Sequence, residues 1–172
     1  NKQTIQVTVY HVLLGDAPIQ ASRVIGSQGK GDLIPANRDL AGAEVEMVEF
    51  SQRETRLKSA LEAIVHEYDY ILIDCPPALN LLTLNGLCAA QAVMIPMQCE
   101  YYALEGLSDL VNTIKRVRNN FNPTLRIEGL LRTMFDPRSI LAQQVSDQLQ
   151  KHFGDKVYRT VIPRNVRLAE AP

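Results

Sequence analysis

Residues 51–172 predict an α/β fold with a doubly wound, mostly parallel sheet. Two observations carry the prediction. Short apolar, β-branched runs recur at 68–74, 92–96, 125–133 and 157–162, and stretches of helical periodicity separate them at 79–90, 103–119 and 140–152. Strands and helices that alternate in this way build βαβ units around parallel strands. In addition, Tyr70-Ile71-Leu72-Ile73 is apolar without alternation, which is the composition of a strand covered on both faces. Pro76-Pro77 ends that run, because proline cannot continue a ladder.

The elements follow in order. Residues 8–14 read as a short helix that stops at the turn Gly15-Asp16-Ala17-Pro18. Residues 22–36 read as two short strands around a Gly-rich turn, Gly26 to Gly31. Residues 51–67 read as a helix whose buried stripe is Leu57, Ala60, Leu61, Ile64 and Val65, with Ser51 and Glu54 at capping-box spacing. The 103–119 helix places Leu104, Leu107, Leu110, Val111, Ile114 and Val117 on one side. It ends in Lys115, Arg116 and Arg118, where positive charge suits the helix dipole. Residues 1–172 are expected to form one domain, irregular over 1–50 and an alternating βα core over 51–172. The chain begins at Asn1 and stops at Pro172, directly after a motif-like run, so a piece of a longer protein is expected.

Net charge is −1, so the chain as a whole is not an evident nucleic-acid binder. The charge is uneven, however. Residues 151–172 hold five basic side chains (Lys151, Lys156, Arg159, Arg164, Arg167) against Asp155 and Glu170. Such an end can face phosphate or another subunit, or simply be solvated. Cys75, Cys88 and Cys99 fit no zinc spacing, and their odd number argues against a disulfide framework. A reduced, cytoplasmic setting follows. No run of 18 apolar residues is present, so no membrane span and no membrane partner are expected.

In an open parallel sheet, ligands bind outside the carboxyl ends of the strands. Asp74 ends the first run, Gln98 to Glu100 follow the second, Thr133 to Asp136 the third and Pro163 to Asn165 the fourth. These residues are expected to cluster. A lone carboxylate in the place of Asp74 suits Mg²⁺, which keeps most of its waters. Cys75 has no histidine nearby and reads as a small buried thiol rather than a nucleophile. Tyr101-Tyr102 reads as a pair that packs a loop onto the sheet rather than a base-stacking platform. Gly26-Ser27-Gln28-Gly29-Lys30-Gly31 is not a phosphate loop. A G-x-x-x-x-G-K-[ST] motif ending at Gly29-Lys30 would need glycine at Val24, and Gly31 stands where the metal-binding hydroxyl belongs.

Several segments carry a family resemblance. They are Leu33-Ile34-Pro35-Ala36-Asn37, Leu40-Ala41-Gly42-Ala43-Glu44, Tyr70-Ile71-Leu72-Ile73-Asp74-Cys75-Pro76-Pro77-Ala78-Leu79, Ile95-Pro96-Met97-Gln98-Cys99-Glu100-Tyr101-Tyr102 with Leu104-Glu105-Gly106-Leu107 behind it, and Val157 to Arg167. In this order they resemble the ParA/Soj family of partition ATPases over nearly the whole chain. Gly86 departs slightly, where a small alanine-like residue is expected. The larger departure is that no lysine-rich Walker A loop stands among these residues, nor the aspartate-ended strand that orients the attacking water.

The resemblance implies a P-loop NTPase fold of the SIMIBI type, truncated at its N-terminal strand, with ATP and Mg²⁺ as the full-length protein's ligands. It makes Asp74 the Walker B residue and places Pro76 and Pro77 in a loop that senses the γ-phosphate. It puts Thr133, Met134, Pro163, Arg164 and Asn165 beside the adenine. Family members are nucleotide-switched homodimers that bind DNA without sequence preference and answer to a ParB/Spo0J-type partner. Lys156, Arg159, Arg164 and Arg167 are therefore the candidate DNA contacts, and the setting is the nucleoid. Without Walker A this chain is expected not to hydrolyse ATP. A MinD-like, membrane-recruited ATPase and a nucleotide-free interaction module are the alternatives.

Overall fold

The computed structural model describes residues 6–26, 31–76 and 78–169. The chain divides into two compact units, Asn1–Ala90 and Gln91–Pro172.

The second unit is the α/β part. It runs β1 (Ala92–Gln98), α6 (Ala103–Asn120), β2 (Arg126–Phe135), α7 (Ile140–Phe153), β3 (Val157–Pro163) and a last turn, α8 (Val166–Ala169). The strands are parallel in the order β1-β2-β3. Ile95 is the register partner of Leu130, and Met97 of Arg132. Partners in a ladder share a face, so Ile95 and Met97, both buried, line up with the fully buried Leu130. Strands added in one direction by right-handed crossovers set α6 and α7 on that same face. Leu107, Ile114 and Val117 of α6 are buried, as are Ala142, Val145 and Leu149 of α7. Ser139 caps α7 by accepting the Ala142 N–H at 3.2 Å.

β3 does not match β2 residue for residue. From Leu130 to Arg132 the partner strand advances from Val157 to Val161, and from Arg132 to Phe135 only from Val161 to Pro163. The extra residue of β2 in the second interval is taken up at Met134, whose φ is +51°, a left-handed conformation rarely held by a methionine.

The first unit is helical. It holds α1 (Val9–Leu14), α2 (Ile19–Ser22), α3 (Leu40–Glu46), α4 (Arg56–Leu61) and α5 (Leu81–Ala89). One core cluster is Val12, Ile19, Leu61 and Ile64, with Ile34, Tyr68 and Ile73 against it. A second is Leu13, Ala43 and Met47, with Phe50 and Leu82 against it. The expected strands of 22–36 reduce to one antiparallel bridge, Val24 with Leu33, whose two backbone bonds are 2.8 and 2.9 Å. Ser27 to Lys30 lie outside the described residues.

Two expectations for this unit need correction. The 51–67 helix is interrupted. Residues 51–55 form turns and the helix starts at Arg56, so Ser51 and Glu54 cap nothing. The cause is Asn85, which is 1% exposed. Its Oδ1 accepts the Leu57 N–H at 3.1 Å and its Nδ2 donates to the Arg53 carbonyl at 2.8 Å. Those are the two groups that would bond each other in a helix running through this point. The run 68–74 bends at Asp69, forms neither helix nor strand and joins no ladder among the described residues. Tyr70 is 87% exposed and Leu72 94%. Apolar composition calls for two neighbours and two covering layers, and no described residue provides the ladder.

Candidate functional site: the Asp74 loop and the ends of β2 and β3

Asp74 lies in the irregular stretch that leads through Cys75 and Pro76, and it is exposed. No hydrogen bond or ion pair engages its carboxylate among the described residues. Its surroundings are held by α5. Asn80 Oδ1 accepts the Thr83 N–H at 3.1 Å, capping that helix. The buried Thr83 hydroxyl reaches back to the Ala78 carbonyl at 2.6 Å and the Pro76 carbonyl at 3.4 Å. Pro77, expected in this loop, lies outside the described residues.

Cys75 corrects its expectation, because the residue is exposed rather than buried. Its sulfur nevertheless lies against α5. A Cβ built on Gly86 would sit 2.7 Å from Cys75 Sγ and 3.5 Å from Ile73 Cγ2. That is the physical reason for glycine where alanine was expected. Desolvation of the sulfur, and then the Asp74 charge, push the Cys75 thiol upward. A protonated thiol is a poor nucleophile.

The fit to Mg²⁺ can be judged from these groups. A free, exposed carboxylate on a loop pinned by Thr83 suits an ion that retains its waters and takes one or two carboxylates. No three His, Cys, Asp or Glu side chains converge among the described residues, so they do not build an all-protein cage.

In the second unit the ends of β2 and β3 meet. Thr133 is the register partner of Gln98, and Phe135 of Pro163. The Arg164 N–H donates to the Phe135 carbonyl at 3.3 Å. Thr133, Met134, Pro163 and Arg164 therefore share one corner, as expected for the ends of adjacent parallel strands. Met134 is 39% exposed there. Asn165 turns to its own chain, where its Oδ1 accepts the Arg167 N–H at 2.8 Å. Beside the corner, the Arg138 side chain and backbone N–H hold the Asp136 carboxyl down to about 2, with the Arg164 charge adding to the effect.

Lys156, Arg159, Arg164 and Arg167 are all exposed, and none forms an ion pair among the described residues. They are not one cluster. Lys156 precedes β3 and Arg164 follows it, roughly 26 Å apart along the strand at ~3.3 Å per residue. Tyr101 and Tyr102 correct another expectation. They pack edge to face on each other, 5.1 Å between centroids, but are 73% and 74% exposed.

Sequence reasoning missed Arg132. Its guanidinium donates to Ser146 Oγ at 2.8 Å and to the carbonyls of Tyr158 at 3.0 Å and Arg159 at 3.5 Å. Those carbonyls lie in the irregular stretch of β3. Its Nε is buried without a partner in the structure. The signal was available as a lone charge inside Gly129-Leu130-Leu131-Arg132-Thr133.

Comparison with known proteins completes the description. The family described as "AAA domain" matches residues 1–127. The chain is 53% identical over 171 residues to sporulation initiation inhibitor protein Soj of Bacillus subtilis, covering 99% of this chain and 68% of that protein. It is 51% identical over 169 residues to chromosome partitioning protein ParA of Caulobacter vibrioides, covering 97% and 63%. Among solved structures, cobyrinic acid a,c-diamide synthase of Mycobacterium smegmatis, with bound ATP analog and magnesium, superposes with a TM-score of 0.87 at 38% identity, covering 96% of this chain and 68% of that one. The chain spans 60 to 68% of the length of the curated relatives it matches.

Proposed function

Because this chain belongs to the ParA/Soj family of chromosome-partitioning ATPases, we propose that it is the magnesium-side part of an ATP-driven partitioning switch. In this reading the full-length protein binds ATP and Mg²⁺, dimerises when loaded, binds DNA without sequence preference and responds to a ParB-type partner. The observation that carries it is the free Asp74 carboxylate on a loop pinned by Thr83, within a chain half identical to Soj and ParA.

In the loaded protein Mg²⁺ supplies charge neutralisation at the phosphates. Asp74 orients the ion's water shell as hydrogen-bond acceptor. Pro76 and Pro77 are the proposed γ-phosphate-sensing residues, and Thr83 ties the Pro76 and Ala78 carbonyls to α5. The corner of Thr133, Met134 and Pro163, with Arg164 and Asn165, offers an apolar wall and a few polar groups, the usual make-up of a base pocket. Lys156, Arg159, Arg164 and Arg167 are the proposed phosphate contacts to DNA. Arg167 and Lys156 serve DNA alone, because Arg164 also borders the base pocket. No helix among the described residues is long and apolar enough to cross a membrane, and the proposed setting is the nucleoid in the cytoplasm.

The 172 residues hold no G-x-x-x-x-G-K-[ST] loop, and the proposal assigns them no turnover on their own. The test is Mg²⁺-dependent ATP hydrolysis by the full-length protein, with the 172-residue chain assayed beside it. Asp74→Ala is expected to lower full-length turnover about 100-fold, within the range for losing one preorganised electrostatic contact. Unchanged turnover in that variant removes Asp74 from the site. Turnover by the 172-residue chain overturns its assignment as inactive.

A further inference from the structure

Arg132 has no part in the proposed function, yet it is the most heavily bonded side chain at the end of the sheet. Its guanidinium joins three elements. It donates to Ser146 Oγ on α7 at 2.8 Å, and to the consecutive β3 carbonyls of Tyr158 at 3.0 Å and Arg159 at 3.5 Å. One side chain reaches two consecutive carbonyls where the strand is bulged. The register has that bulge: β2 advances two residues, from Leu130 to Arg132, while β3 advances four, from Val157 to Val161. Among the described residues no other side-chain hydrogen bond links β2 to β3. Bonds from a charged donor are stronger than neutral ones, so the staple is firm.

A second contact leads from Arg132 toward the corner of Thr133, Met134, Pro163 and Arg164. The guanidinium carbon lies 5.9 Å from the centre of the Phe135 ring. Residues three apart on a regular strand point to opposite faces. The left-handed Met134, at φ +51°, breaks that alternation and returns Phe135 to the face of Arg132. Phe135 is in turn the register partner of Pro163, and its carbonyl accepts the Arg164 N–H at 3.3 Å. Both contacts therefore bear on one outcome, which is where β3 ends against β2. A slip of β3 by one residue would turn its side chains to the other face and carry Pro163 out of the corner.

We infer that Arg132 is a positioning residue for the base. It holds β3 in the register that sets Pro163 and Arg164 beside Thr133 and Met134, and so sets the preference of this corner for adenine over guanine. It acts through the two strand ends and touches neither base nor phosphate. The inference rests on the reading of this corner as the base pocket.

The test uses the full-length protein with Mg²⁺. Mant-labelled ATP is displaced by ATP, GTP or inorganic triphosphate. Arg132→Met keeps the length of the side chain and removes its donors. It is expected to weaken ATP about tenfold, to narrow the ATP-to-GTP ratio by a similar factor, and to leave triphosphate unchanged. Turnover is expected to show the same split, with KM for ATP raised and kcat held. Arg132→Lys, which keeps a donor, is expected to recover part of the ratio; if Arg132→Met does not fold, the lysine variant decides on the same ratio. A structural role alone would weaken all three competitors alike, and that result overturns the inference. Met134→Ala separates the inference from the reading beneath it. If Met134→Ala changes the ATP-to-GTP ratio and the Arg132 variants do not, Arg132 is not the positioning residue. If neither position changes it, the corner is not the base pocket and both fall.

Discussion

The two units treat similar sequence differently. Ala92-Val93-Met94-Ile95 and Tyr70-Ile71-Leu72-Ile73 are both short apolar runs with β-branched residues. In the second unit the first of these becomes β1, hydrogen-bonded to β2 over seven register pairs, with Ile95 and Met97 buried. In the first unit the other run forms no strand and joins no ladder among the described residues, and Leu72 is 94% exposed. Apolar, β-branched composition alone does not make a run a strand. Only a partner's N–H and C=O groups make it a strand, and only covering helices make it core.

The sharpest way to break this comparison is to truncate one leucine in each unit. Leu130→Ala on β2, at 0% exposed, is expected to cost about 2–5 kcal/mol. Leu72→Ala is expected to change stability by no more than about 0.5 kcal/mol. Urea denaturation followed by circular dichroism measures both. A loss at Leu72 of the same size as at Leu130 would mean that the run is buried in solution and that the two units are alike.

A smaller effect sharpens the account of the first unit. Asn85→Ala removes the amide that separates Arg53 from Leu57. It is expected to cost about 1–3 kcal/mol, the range for leaving buried backbone groups unsatisfied. If the helix simply closes over the gap, ellipticity at 222 nm rises and the cost falls below that range, which would make Asn85 a replaceable interruption.

The smallest effect sets one carboxylate in each unit side by side. Tyr68's hydroxyl and the Gly26 N–H hold Asp32 below the usual carboxylate range, with Arg23 nearby. Asp136 is held at about 2, chiefly by the Arg138 side chain. Both groups ionise more readily in the fold than in the unfolded chain, where an aspartate titrates near ~3.9. Each therefore adds stability above about pH 4 that is lost as pH falls, for Asp136 through about 2. Arg138→Ala is expected to return Asp136 toward the ordinary range in an NMR titration and to leave Asp32 unmoved. A shift of both would tie the two carboxylates together.

What could be read from the sequence follows the same division. β1, β2, β3, α6 and α7 were legible because their apolar patterns and their ladder partners lie in one stretch of chain, so local reading and tertiary outcome agree. The helix at 51–67 was not, because Asn85 intercepts it from 28 residues away. α3 was missed although Leu40, Ala43 and Met47 have helical spacing. In the second unit the shared corner of Thr133 and Pro163 was legible, because the ends of adjacent parallel strands fall side by side. The work of Arg132 was not, since its acceptors are carbonyls exposed by the irregular register of β3. The exposure of Tyr101 and Tyr102 was also hidden, because a pair of aromatics gives no indication of whether anything covers it.

One feature of the Asp74 loop has a mechanical side. The Thr83 hydroxyl carries a single hydrogen and faces two carbonyls, Ala78 at 2.6 Å and Pro76 at 3.4 Å. It can serve only one of them fully. The clasp is thus lopsided: the Ala78 carbonyl takes the proton, the Pro76 carbonyl keeps a longer and weaker contact, and one firm bond ties the chain beside Asp74 to the helix that holds it.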